Sequence, residues 1–67
     1  MRWFLLPLLP PEDRRAVVER ELVFSEEEVA RLEEIHARTD PAHPFRATVE
    51  LGLRLNAVMQ DWLREQL

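Results

Sequence analysis

The stretch RELVFSEEEVARL, Arg20 to Leu32, decides the fold of this chain, because it holds both the end of a possible strand and the start of a helix. Working back from it, the residues Val18 to Phe24 read VERELVF. Val18, Leu22 and Phe24 fall on one side at a period of two, with Glu19, Glu21 and Val23 on the other. Arg20 interrupts the inner side. A helix from Glu12 to Leu22 is the competing reading, and it would remove the strand. Forward of Phe24, the helix signals converge. Ser25 is a good N-cap, Glu28 completes a capping box, and Phe24 and Val29 occupy the positions of a hydrophobic staple. Glu26, Glu27 and Glu28 suit the positive end of a helix dipole. Val29, Leu32 and His36, with Ile35 beside them, form an inward stripe that Thr39, Asp40 and Pro41 bring to a stop. The expectation is a strand over 18–24 and a helix over 25–39.

The C-terminal third poses a conflict of period. FRATVELGLRLN, Phe45 to Asn56, alternates apolar and polar residues as a strand would. The charges decide for a helix: at about 100° per residue, Arg46, Glu50, Arg54, Asp61, Arg64 and Glu65 all fall within one arc of roughly 100°. Glu50 stands four residues from both Arg46 and Arg54, so the arc is internally paired. A helix over 44–66 follows. The rest of its surface is apolar or small over roughly two thirds of the circumference. One short helix and one strand cannot cover that. Thr48, Gly52 and Asn56 make a ridge of short side chains where another helix can approach closely. The helix is therefore expected at the centre of a homodimer, whose interface would take Leu22, Phe24, Val49, Gly52, Leu53, Asn56, Met59 and Leu63.

Size points the same way. A chain of 67 residues is one domain, 1–67, and chains this short bury only about 60% of the surface their unfolded form exposes. Disulfides, a metal or oligomerisation usually supplement so small a core. There is no cysteine, so disulfides and thiolate zinc sites are excluded. With 46% hydrophobic and 33% charged residues the chain has the composition of a folded domain.

Net charge is −4 and every basic residue is an arginine, which opposes a nonspecific hold on a phosphate backbone. The acid is concentrated between Glu12 and Glu34, where nine carboxylates face four arginines. That block is a solvated face or a surface for a basic partner. The first residues, 1–11, read MRWFLLPLLPP, whose three prolines argue for an extended apolar arm lying across this subunit or its partner. Pro11 before Glu12 and Asp13 also reads as a helix start, which leaves a short helical turn over 11–17 open. Trp3 and Phe4 on the arm, with Glu19, Glu21, Glu27 and Glu34 on the acidic surface, are the candidate partner contacts. The arm does not read as a signal peptide: its apolar run is short, Pro7 breaks it, and PPEDRR stands where small residues should lead to cleavage. No run approaches the ~20 apolar residues of a membrane helix, so a cytoplasmic protein is expected.

Strand, capped helix, short turn and longer buried helix, in that order over residues 18–63, resemble the ribbon-helix-helix family of small dimeric repressors and antitoxins. The resemblance implies that two strands pair into an antiparallel ribbon whose outward side chains enter the DNA major groove. Glu19, Glu21 and Val23 would be that outward set. A carboxylate accepts only from the cytosine amino group and repels the flanking phosphates, where the family's readers are basic or amide side chains.

Other chemistry finds little material. His36, Asp40 and His43 have ligand-like spacing, but His36 lies on the inward stripe and His43 in a proline turn. Ser25, Thr39 and Thr48 are the only hydroxyl side chains, and the single glycine rules out a glycine-rich phosphate loop. Met59 and Trp62 at helical spacing read as core. No catalytic residue, metal or cofactor is expected. The sequence reads as a mainly α, non-enzymatic homodimer, ribbon-helix-helix-like or, alternatively, an all-α helical hairpin dimer. Its expected work is protein-protein interaction or regulation, with a DNA-binding regulator or antitoxin as the alternative.

Overall fold

Pro10 and Pro11 set the first long helix in motion. Proline at the first helical position has the fixed φ a helix needs and lacks only an N–H that would go unpaired there. In a computed structural model that describes the backbone of residues 3–67 and the side chains of residues 5–67, helix α1 runs Pro11–Arg38 and helix α2 runs Phe45–Glu65. Glu12 and Asp13 occupy the positive end of α1, and His36 and Arg38 its negative end. A short 3-10 turn, Trp3–Leu8, precedes α1. The two helices lie antiparallel as a hairpin of 46 × 17 × 16 Å.

The strand expected over 18–24 is helical, and Ser25 is an interior residue of α1 rather than its N-cap. The reason is the spacing of the residues that face α2. Val18, Leu22, Ser25, Val29, Leu32, His36 and Thr39 recur at alternating steps of four and three, the repeat of a helix packed along its length on another helix. A strand ending at Phe24 would break this stripe in its middle. With no strand among the described residues there is no ribbon to enter a DNA groove, and a ribbon-helix-helix arrangement has no basis here. The chain is all-α, a two-helix hairpin among the described residues.

Helix α2 matches its expected bounds to within a residue at each end. Its inner stripe, Val49, Gly52, Asn56, Met59 and Leu63, has the same heptad spacing. Gly52 lies at a close approach of the two helices. A Cβ placed on it would lie 3.1 Å from Leu32 Cδ1, so the absent side chain makes room for Leu32. The ridge of Thr48, Gly52 and Asn56 thus admits a neighbouring helix at Gly52, and that neighbour is α1 of the same chain.

The core is thin. Leu6, Val18, Val49 and Leu63 are the buried apolar side chains, and Ser25 the buried polar one, among the described residues. At the open end, Leu6 of the 3-10 turn packs with Val18 and Leu63, and Val17, Leu22, Met59 and Trp62 surround them. The arm therefore folds onto its own hairpin instead of running out extended. Proline's φ of about −65° fits a 3-10 turn as well as it fits extended chain, which is how Pro7 is accommodated. Arg14 Nη1 donates to the Pro7 carbonyl at 3.4 Å and ties arm to helix.

At the other end, the turn is closed by side chains. Asp40 Oδ1 accepts from the Ala42 amide at 2.8 Å, and Arg46 donates from Nη1 to the Thr39 carbonyl at 2.7 Å. Arg46 Nε also lies 2.8 Å from His36 Nε2, to which it donates. Glu50 Oε1, 3.4 Å from the same nitrogen, is held by Arg46 at 3.5 Å. His36 is a half-buried structural histidine joining the two helices.

Candidate interaction face

Helical geometry places a second stripe on each helix. On α2, Leu51, Leu55, Val58 and Trp62 recur at steps of four, three and four, and at ~100° per residue they lie about 110° behind the inner stripe. On α1, Val17, Glu21, Phe24, Glu28, Arg31 and Ile35 recur at alternating steps of four and three, about 95° behind the inner stripe. Both rotations have the same sense along their own chain direction. Because the helices are antiparallel, the senses oppose when viewed from one end, which brings both stripes to the same side of the hairpin. Val17 and Trp62, one from each stripe, accordingly meet the same cluster under Leu6.

On α2 this side is apolar and open, and on α1 Phe24 and Ile35 share it with Glu21 and the Glu28–Arg31 ion pair. Phe24, Ile35, Leu51, Leu55 and Val58 are between 44% and 67% exposed. Scattered exposed apolar residues need no explanation, but a contiguous patch of large ones marks an interaction surface. Its outer edge on α2 carries Arg54 and Asp61; Arg54 has no ion-pair partner among the described residues, and Asp61 has only Arg64 at 3.9 Å. Glu50, spaced to serve both Arg46 and Arg54, pairs with Arg46.

The residues expected at the interface between copies are distributed differently. Val49 and Leu63 are buried within the chain, Gly52 faces Leu32, and Leu22 and Met59 flank the open-end cluster. Asn56 joins a polar layer with Ser25: Ser25 Oγ donates to Asn56 Oδ1 at 2.8 Å and accepts from Gln60 Nε2 at 3.0 Å. Asn56 Nδ2 donates back to the Gly52 carbonyl at 2.8 Å. Leu53 is half-buried, and Phe24 alone of the set stands fully open. Leu51, Leu55, Val58 and Trp62, which make the second stripe of α2, are not in that set. Their four-three-four spacing is visible in the sequence once α2 is divided into two stripes.

The candidate partner contacts also separate. Glu19, Glu27 and Glu34 are exposed on the back of α1, with Glu26 and Glu33 beside them. Glu21 is half-buried and turns toward the apolar side, because two residues along a helix rotate about 200° where two along a strand would share a face. The side chains of Trp3 and Phe4 lie outside the described residues. An open concavity at the open end is lined mainly by Pro11, Glu12, Arg14, Arg15, Glu19 and Gln66. Asp40 and His43 are each engaged in the turn, where His43 Nδ1 accepts from the Phe45 amide at 3.1 Å. No helix among the described residues is long and apolar enough to cross a membrane.

No protein-family model, curated protein or solved structure matches this chain.

Proposed function

We propose that this chain is a non-enzymatic, homodimeric interaction module in which the open face of one hairpin is covered by another copy. The observation that carries the reading is the exposed apolar stripe of α2, Leu51, Leu55 and Val58, with Phe24 and Ile35 exposed on the same side of α1. Three features support a second copy as the cover. The intrachain core is thin for a chain of this size, and with cysteine absent oligomerisation is a supplement still open to it. The α2 stripe has heptad spacing, which suits a partner helix along its whole length. The face also carries both signs of charge at its edges, which allows it to complement itself.

Covering this side leaves the glutamate ridge of α1 on the outside of each copy. Glu19, Glu26, Glu27, Glu33 and Glu34 would then be presented twice to a basic protein partner, which is the regulatory use the module is suited to. Sedimentation equilibrium tests the central claim. The wild type is expected to be a dimer at micromolar concentration, and Leu55→Glu, which puts a charge in the middle of an exposed stripe, a helical monomer. A wild type that stays monomeric at several hundred micromolar would end this reading.

A further inference from the structure

The two open stripes have the same spacing in both directions, and the charges on and beside them select how a second copy lies. We infer that the copies stack antiparallel, α2 on the partner's α2 and α1 on the partner's α1, about a two-fold axis crossing the middle of the hairpin. The inference rests on the dimer reading above and adds to it the register and the pairing.

On α2 the centre of inversion lies between Leu55 and Val58. Leu55 then faces the partner's Val58, and Leu51 faces the partner's Trp62. Arg54 and Asp61 hold the same heptad position on the outer edge, seven residues apart. Inversion brings Arg54 beside the partner's Asp61 and Asp61 beside the partner's Arg54, the flanking charge pairs that set orientation when helices pair. On α1 the centre falls at Glu26. Val17 then faces the partner's Ile35, Glu21 faces the partner's Arg31, and the Phe24 ring lies along the methylenes of the partner's Glu28. Each centre follows from its own helix alone. They stand at the same height in the hairpin, because Ser25 is hydrogen-bonded to Asn56 across the helices at 2.8 Å.

The other stacking sets unlike chemistry together. With α2 on the partner's α1, Leu55 would cover the partner's Glu28 and Trp62 the partner's Glu21. That is also the stacking in which the copies run parallel, because a two-fold along the hairpin exchanges the positions of the two helices. Apolar side chains set over carboxylates cost affinity and select against it.

A charge-reversal cycle on the full chain tests the register. Dimer dissociation constants are measured by sedimentation for the wild type, Arg54→Asp, Asp61→Arg and the double reversal, with helicity followed by circular dichroism. Each single reversal creates two like-charge contacts per dimer and is expected to weaken association about tenfold or more, and the double reversal to return it to within about threefold of wild type. Since the chain has no cysteine, Ala42→Cys places one spin label on each turn. The antiparallel arrangement puts the two labels about 45 Å apart at 1.5 Å per residue from the axis. A double reversal no tighter than the singles, or labels closer than about 25 Å, overturns this pairing while leaving a dimer that Leu55→Glu still dissociates. A monomeric wild type removes both the pairing and the dimer.

Discussion

Replacing Ser25 by alanine is the sharpest test of the hairpin, because its expected cost follows from a residue buried in the middle of a helix. Ser25 is 4% exposed, donates to Asn56 Oδ1 at 2.8 Å and accepts from Gln60 Nε2 at 3.0 Å. Ser25→Ala deletes both bonds and leaves the Asn56 oxygen without its donor. Stranding a buried acceptor costs about 1–3 kcal/mol, and the better helix propensity of alanine returns roughly 0.5 kcal/mol. The net loss is about 1.5 kcal/mol, or roughly 6–12 °C in Tm for a domain of this size.

A lost helix cap would cost a similar amount, so two further variants separate the cases. Aspartate is an excellent N-cap, and Ser25→Asp would be nearly neutral at a helix start. At an interior position facing Asn56 it buries a carboxylate against an oxygen, and a loss of about 3 kcal/mol is expected. Asn56→Ala completes a double-mutant cycle with Ser25→Ala, in which a coupling of about 1 kcal/mol is expected. Unfolding in urea, followed by circular dichroism at one fixed protein concentration, measures every variant against the wild type. Costs that add to within about 0.4 kcal/mol, or a neutral Ser25→Asp, would refute the polar layer.

Two other substitutions probe the ends of the contact between helices. Gly52→Leu forces Leu32 away from its 3.1 Å approach and is expected to cost about 1–3 kcal/mol by overpacking, read from the urea midpoint. Arg46→Ala removes the donors to the Thr39 carbonyl and His36 Nε2 and should cost about 1–2 kcal/mol. Arg46→Lys should recover little of that, because one ammonium cannot reproduce the geometry of the two guanidinium bonds.

Much of the hairpin is legible in the amino-acid sequence, and the part that is not has an identifiable cause. Helix α2 is readable to within a residue because its charges collect on one arc, a feature that burial elsewhere cannot erase. The strand reading of 18–24 fails at Arg20 and Ser25. Alternation through VERELVF needs Arg20 on the inner side, whereas the four-three repeat through Val18, Leu22, Ser25, Val29 and Leu32 needs no exception except a serine. Serine before three glutamates has every local mark of a cap. Local marks describe what a peptide would do at its ends, and here the tertiary contact with Asn56 and Gln60 uses the same hydroxyl inside a continuous helix. Val49, Gly52 and Leu63 are occupied within the chain for a related reason: the small-residue ridge at Gly52 shows that some helix comes close, but not whether it belongs to the same chain.

The division of α2 into two stripes has a thermodynamic consequence that concentration exposes. One stripe is spent on α1, and the other leaves Leu51, Leu55 and Val58 more than half exposed. Burying a Leu or Val side chain fully is worth roughly 1.5–3 kcal/mol, so the three hold an unrealised 3–5 kcal/mol per copy. That is comparable to the low end of a small domain's entire stability of about 5 kcal/mol. Where a second copy covers that stripe, as proposed, association and folding are coupled, and while the dimer is the species that melts each tenfold rise in concentration adds about 0.7 kcal/mol per chain. At about 4–8 °C per kcal/mol, Tm should climb by roughly 3–6 °C per decade between 1 and 100 micromolar. Leu55→Glu should abolish the slope while keeping a helical, less stable monomer. A wild-type Tm that does not move across those two decades would mean that the open stripe contributes nothing to folding, and that some partner other than this chain is needed to cover it.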